Sequence, residues 1–346
     1  MKVAYFGSGA HSVDLKRHIL FAEVRGYETV SSLSNCNNFS KLDPISLLIS
    51  DSCDFKTLFN IFFWQMQGRF SKIDFIDLEL FNLSFKAWRE ELNFMILNAK
   101  PLSNWKSILY FCFVMPIRIV LTRIVLNVGI GEVIVPSKLR IDFLKSVLPK
   151  HIAFTLLRNK PILSELNLDK PVDFEHLIEH AQAIIENGRF LFIGGRINVE
   201  SDFYRICSYA NQKKLKIIAA TSQEEMLRRS ISEFPDLILS LGRISNTLVM
   251  YISSKCLAGI CIYHNFTSNQ RLSASSKFFE FMLMNKPIIA SDNLGMRGEI
   301  QPKIQHLVIS IDNLSKDLTI QREEIKLNKE YDFEYELEKF QGQEEY

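Results

Sequence analysis

Ser275-Ser276-Lys277-Phe278-Phe279-Glu280-Phe281-Met282-Leu283-Met284-Asn285-Lys286-Pro287-Ile288-Ile289-Ala290-Ser291-Asp292 is the stretch from which the chain is best read. Phe278, Phe281, Met282 and Leu283 make a broad apolar stripe at helical spacing, and the two serines suit an N-cap. Asn285-Lys286-Pro287 stops the helix, because proline has no N–H to continue it, and Ile288-Ile289-Ala290 then reads as a short buried strand. Lys277 and Glu280 stand three apart and share one face at the helix start. Free backbone N–H groups and a lysine suit an anion such as a diphosphate, and a carboxylate one turn deeper can accept hydrogen bonds from a sugar diol. An ordinary i,i+3 ion pair, worth ~0.2–0.5 kcal/mol, accounts for the same two residues.

The string from Lys277 to Asp292 resembles the signature of nucleotide-sugar glycosyltransferases with the GT-B fold, specifically glycosyltransferase family 4. That pattern is roughly Lys-x-x-Glu-Tyr-Met-Ala-x-Gly-Lys-Pro-Val-Ile-Ala-Ser-Asp. Phe281 stands for its tyrosine, Leu283 for its alanine and Asn285 for its glycine. The resemblance implies an α/β chain of two facing Rossmann-like domains with a C-terminal helix returning to the first. It also implies that Glu280 binds the donor ribose, and that Lys277, with Ser276 at the helix start, binds the donor diphosphate.

Composition fits two folded domains. The chain has 346 residues, and 47% of them are hydrophobic, which is enough for substantial cores. Forty-one Lys and Arg against 39 Asp and Glu leave +2, so bulk charge does not point to nucleic acid. The six cysteines show no CxxC spacing and sit mostly among apolar residues, as buried thiols in a reducing compartment do. Met1 to Gly7 has too short an apolar run for a signal peptide, so a cytoplasmic protein is expected, with the inner face of the membrane as a further location.

Val3 to Phe6 reads as a strand, Gly7-Ser8-Gly9-Ala10-His11-Ser12 as a turn feeding a helix to about Gly26, and Tyr27 to Ser31 as a second strand. Only the first two glycines of a dinucleotide fingerprint are present and no acidic residue closes the second strand, so NAD is not indicated. Gly7, Gly9 and His11 are candidates for a cleft loop, His11 also reading as a plain surface residue. From Asn35 to Lys100 the chain is rich in phenylalanine, with strands expected at Leu47 to Ser50 and Phe75 to Leu78 and helices around Trp64 and Trp88. The family usually carries a histidine in this half, but none lies between His18 and His151.

Trp105 to Val135 is the most apolar region. A spanning helix needs about 20 apolar residues, and each central arginine costs roughly 2.5–3.5 kcal/mol, so Arg118 and Arg123 argue against a span. Two readings stand. One is a core helix of the first domain. The other is a membrane contact through 105–126, lying along the surface with Trp105, Lys106, Arg118 and Arg123 at the headgroups.

A strand at Glu132 to Pro136, a helix at Lys138 to Leu148 and a strand at Ile152 to Leu156 close the first domain, taken as 1–165. A linker is expected at about 160–175, and the second domain at 175–325. His176-Leu177-Ile178-Glu179-His180 matches the inverted zinc-protease pattern H-x-x-E-H on an amphipathic helix from Phe174 to Asn187. It lacks a third ligand, and no metal is expected.

Strands at Arg189 to Gly194, Leu215 to Ala220, Leu237 to Leu241, Gly259 to Tyr263 and His306 to Ile311 complete the second domain. By resemblance, Arg196 after the first of these reaches the donor diphosphate, and Gly242, Arg243 and Ile244 contact the donor base. Arg196 and Lys277 then stabilise the charge on the departing diphosphate without a metal or other cofactor. Residues 326–346, with Tyr331, Phe333, Leu337 and Phe340 on one face, read as the returning helix or as a charged tail.

The expected activity is transfer of a sugar from a nucleoside-diphosphate sugar to a saccharide or lipid-linked saccharide acceptor in surface polysaccharide synthesis, with retention. The alternatives are a catalytically silent sugar-nucleotide-binding or scaffold subunit and a sugar-nucleotide epimerase of the same fold. No nucleic-acid partner is expected.

Overall fold

A computed structural model describes the chain except residues 7–11, 34–43, 51–53, 78, 98–104, 130, 167, 196, 198–199, 316–319, 321–324 and 345–346. It falls into two compact units. One holds Met1–Asn159 with Phe266–Ser273 and Leu337–Tyr346, and the other holds Lys160–Asn265 with Ala274–Glu336.

Each unit is built on a six-stranded sheet whose strands pair in parallel. In the first unit the strands are β1 (Lys2–Tyr5), β2 (Glu28–Thr29), β3 (Ile45–Ser50), β4 (Phe70–Ile76), β5 (Glu132–Val135) and β6 (Ala153–Leu156). Their order is β2-β1-β3-β4-β5-β6. The second unit has β7 (Phe190–Gly194), β8 (Lys216–Ala220), β9 (Ile238–Ser240), β10 (Ala258–Cys261), β11 (Ile288–Ala290) and β12 (Val308–Ser310), in the order β12-β11-β10-β7-β8-β9. Apolar runs such as Ile-Ser-Leu-Leu-Ile-Ser and Phe-Leu-Phe-Ile-Gly suit strands covered on both faces. Consistent with this, the second unit has two cores. One centres on Phe278, Phe279 and Phe281, the other on Phe203, Ile217 and Ile260.

The expected α/β architecture of two Rossmann-like halves is what the chain forms, and its last helix, Phe333–Glu344, delivers Leu337–Tyr346 to the first unit. There Phe340 meets Phe21 edge-on, with ring centroids 6.0 Å apart.

Residues 160–175, expected as a linker, are integral to the second unit. Lys160 is buried and pairs with Glu336 at 2.5 Å, Phe333 N–H donates to Pro161 C=O at 2.9 Å, and Phe174 is fully buried. The expected helix Phe174 to Asn187 forms only from Glu179 to Asn187. Val172–His176 is a 3-10 turn, and Leu177 and Ile178 are extended, so His176 and His180 do not share a helical face. Among the described residues no cluster of three or more His, Cys, Asp or Glu side chains could hold a metal.

The apolar region 105–129 is a helix, continuous over Lys106–Gly129. Pro116 has no N–H to offer the carbonyl one turn back, and the helix widens to a π-turn over Tyr110–Val114. Met115 N–H bonds Tyr110 C=O, and the Trp88 indole N–H donates to Phe111 C=O at 2.8 Å. Met115, Ile119, Val125 and Leu126 are buried, as a core helix requires. Arg118 is buried with them and the half-buried Arg123 donates to Val147 C=O, which overturns the expectation that these two arginines lie outward at headgroups. The outward face instead carries Leu109, Phe113, Ile117, Val120, Ile124 and Val128.

Candidate functional site

In the second unit the chain enters at β7, proceeds outward to β8 and β9, then returns to the other side with β10, β11 and β12. The reversal between β7 and β10 is the place where open α/β sheets bind ligands, outside the carboxyl ends of their strands. The Ser276–Leu283 helix lies just past that edge, between β10 and β11 in sequence.

Close packing fixes the helix to the sheet. A Cβ on Gly259 in β10 would stand 2.2–2.4 Å from the Phe281 ring, so only glycine lets that ring lie on the strand. Phe278, Phe279, Phe281, Met282 and Leu283 are all fully buried. The C-terminus is a Schellman cap: Asn285 N–H bonds Met282 C=O at 3.1 Å, and Lys286 N–H bonds Phe281 C=O at 2.9 Å. Asn285 takes φ 55°, the left-handed conformation for which glycine or asparagine is suited. Lys286 is 1% exposed and donates to Cys256 C=O at 3.2 Å, so this lysine serves the fold.

The helix N-terminus is tied to both strand ends. Ser275 Oγ accepts from Lys277 N–H at 3.1 Å and from the Tyr263 hydroxyl at 2.8 Å. Ser291 Oγ, just past β11, accepts from Tyr263 N–H at 2.6 Å and donates to Tyr263 C=O at 2.9 Å. Asn265 Nδ2 donates to Asp292 C=O at 2.5 Å, and Asp292 pairs with Arg297. Lys277 Nζ and Glu280 Oε2 are 2.7 Å apart. Glu280 is 8% exposed and Lys277 half-buried, so this is a sheltered pair and not the exposed one that spacing alone suggests. Burial, and secondarily the Glu280 charge, raise the pKa of the Cys261 thiol at the end of β10. Burial lowers the pKa of His264, three residues on, and so favours its neutral imidazole.

Ser276, Lys277 and Glu280 therefore lie on one short helix at the sheet's carboxyl edge. Gly242, Arg243 and Ile244 form the loop after β9, with Gly242 at φ 63° and Arg243 exposed. That loop is on the same edge of the same sheet, three strands from β10, or roughly 14 Å at the usual strand spacing. Arg196, Gly7, Gly9 and His11 lie outside the described residues. Tyr263, His264 and Ser291 are the additions that the structure makes. Their signal in the sequence was position only, directly after an apolar strand.

No family model and no curated protein matches the sequence. Solved structures do. Sucrose-phosphate synthase from Thermosynechococcus elongatus superposes with a TM-score of 0.54 at 11% identity, over 90% of this chain and 86% of that one. HepE of Anabaena in complex with UDP-glucose superposes with a TM-score of 0.51 at 13% identity, over 90% and 85%. The chain has the GT-B fold. At such identities the likeness is one of fold, and the chemistry has to come from the site.

Proposed function

We propose that this GT-B protein is a glycosyltransferase that moves a sugar from a nucleoside-diphosphate sugar to a saccharide or lipid-linked saccharide, in surface polysaccharide synthesis. The observation that carries the reading is the sheltered Lys277 and Glu280 at a Ser275-capped helix N-terminus on the carboxyl edge of β10 and β11. In this reading the ligand divides the ion pair. Lys277 turns to the diphosphate, beside the first-turn N–H groups and Ser276, and Glu280 accepts hydrogen bonds from the ribose hydroxyls. Arg196 joins Lys277 on the diphosphate, and the Gly242-Arg243-Ile244 loop takes the base.

As the glycosidic bond breaks, the diphosphate gains negative charge. Lys277, Arg196 and the helix N-terminus stabilise that charge more in the transition state than in the ground state, so no metal is required of this site. Retention of configuration is the outcome that the resemblance to glycosyltransferase family 4 implies. The buried free thiols Cys207, Cys256 and Cys261 support a reducing, cytoplasmic setting.

Calorimetric titration of UDP, GDP and ADP and their sugar conjugates into the wild type, Lys277→Ala and Glu280→Ala tests the donor site. One nucleotide is expected to bind, with a loss of roughly tenfold or more in each variant. Binding that ignores both substitutions, or no binding at all, removes the reading. Binding without release of free nucleoside diphosphate across varied acceptors identifies a silent sugar-nucleotide-binding subunit.

A further inference from the structure

The first unit has two neighbouring helices that are apolar on both the inward and the outward face. On Lys106–Gly129 the inward face includes Arg118 and Thr122, while Leu109, Phe113, Ile117, Val120, Ile124 and Val128 face outward in one stripe at steps of three and four. Phe113 is 68% exposed. The Phe55–Met66 helix packs on it and repeats the arrangement, with Gln65 buried and Phe59, Phe63 and Met66 outward. Phe59 and Phe63 meet edge-on at the surface, with centroids 4.8 Å apart. A run of exposed apolar side chains on two adjacent helices is more than a soluble monomer usually shows, and it marks a surface that something covers.

Charge says what covers it. No Asp or Glu occurs from Phe55 to Phe70 or from Trp105 to Gly131, while Lys56, Arg69 and Lys106 stand in these segments. A protein partner is usually met by a rim of both signs. Two segments that carry cations and no carboxylate of their own, with Asp54 just ahead of the first as its N-cap, match an anionic headgroup layer over hydrocarbon. The inward residues Leu121, Val125 and Leu126 belong to the core under the sheet, so the helix lies along a bilayer and does not cross it.

We propose that the outward face of Lys106–Gly129 and Phe55–Met66 docks the first unit on an anionic lipid bilayer, peripherally, with Phe113, Ile117 and Phe59 entering the interface. This surface is independent of the donor site. Combined with the proposed transfer, on which this clause rests, it selects the lipid-linked acceptor over the free saccharide and places the protein at the inner face of the membrane.

The test is co-sedimentation of the full chain with vesicles of phosphatidylglycerol and phosphatidylcholine, or phosphatidylcholine alone. Ile117→Glu, Phe113→Glu and Phe59→Glu are compared with Ile178→Glu, an exposed apolar position in the second unit. The expected result is binding to the anionic vesicles that weakens with salt, falls roughly tenfold in the first three variants and is unchanged in the fourth. Thermal melts confirm that the variants fold. Absence of vesicle binding, or binding indifferent to the three substitutions, overturns the proposal. So does light scattering that shows a dimer split by Ile117→Glu, which would assign the face to a second copy, and so does resistance to alkaline extraction, which would mean a span. Nucleotide titration without vesicles reads the donor site separately, so either idea can fail alone.

Discussion

Two helices of this protein are apolar in similar measure and end in opposite situations. In Ser276–Leu283 every phenylalanine is fully buried, and even Glu280 is sheltered. In Lys106–Gly129 both faces are apolar: Met115, Ile119 and Val125 are buried beside Arg118 and Thr122, while Phe113, Ile117 and Val120 are turned out. The first lies between β10 and the 3-10 turn Lys329–Tyr331, whereas the second covers its sheet with one face only. Hydrophobic periodicity thus records where apolar side chains are, and only the neighbours of a helix determine which face is the inner one.

The sharpest way to break this contrast is to shorten a phenylalanine in each helix. Phe281→Ala is expected to cost about 3–5 kcal/mol, because it opens a cavity against Gly259. Phe113→Ala is expected to stay within about 0.5 kcal/mol, since its ring touches solvent. Urea unfolding of both variants measures the difference, and equal losses would show that the outward face is covered in the free protein.

The helix ends offer a smaller test. Local chemistry stops the signature helix, with Asn285 left-handed ahead of Pro287, whereas the long helix absorbs its proline through a π-turn. Asn285→Val is expected to destabilise by about 1–2 kcal/mol and Asn285→Gly to be tolerated, both read from melting curves. If valine is also tolerated, the cap is not what ends the helix.

The smallest expected effects concern pH, and they separate the two units. His264 belongs to the second unit, and burial holds its pKa below 6.5. The unfolded chain therefore takes up a proton near pH 6.5 that the folded one refuses, and stability falls as pH drops through that value. Glu91 in the first unit behaves oppositely. Burial, with Glu79 and Glu90 nearby, raises its pKa above 4.5, so stability is retained below pH 4.5 and declines as pH rises through the raised value. Unfolding free energies measured from pH 4 to 8 are expected to flatten at the acid side in His264→Asn and to rise at neutral pH in Glu91→Gln. A profile unchanged in both variants contradicts the two assignments.

Much of the fold was legible because it is written in short-range patterns. β11 occupies the three residues that the apolar run before Ser291 marks, and Ser275 caps the helix that follows. The segment 266–273 was not legible. It sits in the sequence of the second unit yet packs in the first, where Asn269 Oδ1 accepts from Leu80 N–H at 3.1 Å and from Arg140 Nη2 at 3.0 Å. Ser268 N–H reaches Glu90 at 2.6 Å there, and Glu79 accepts from Asn269. These partners lie 129 to 190 positions away along the chain, beyond any periodic signal. At the candidate site, spacing put Lys277 and Glu280 on one face, but not the depth of the pair or the Tyr263 and Ser291 ties beneath it.

The sequence by itself determined the alternation of strands and helices, the caps and breaks of the signature helix, and the carboxylate-free apolar stretch at 105–131. Each of these follows from propensities and bonds between near neighbours. Tertiary structure alone decided that H-x-x-E-H spans a bend, that Arg118 turns inward, and that 266–273 joins the first unit. Those outcomes depend on which distant surfaces satisfy a backbone group or cover a ring, and burial of that kind is settled only when the whole sheet is in place.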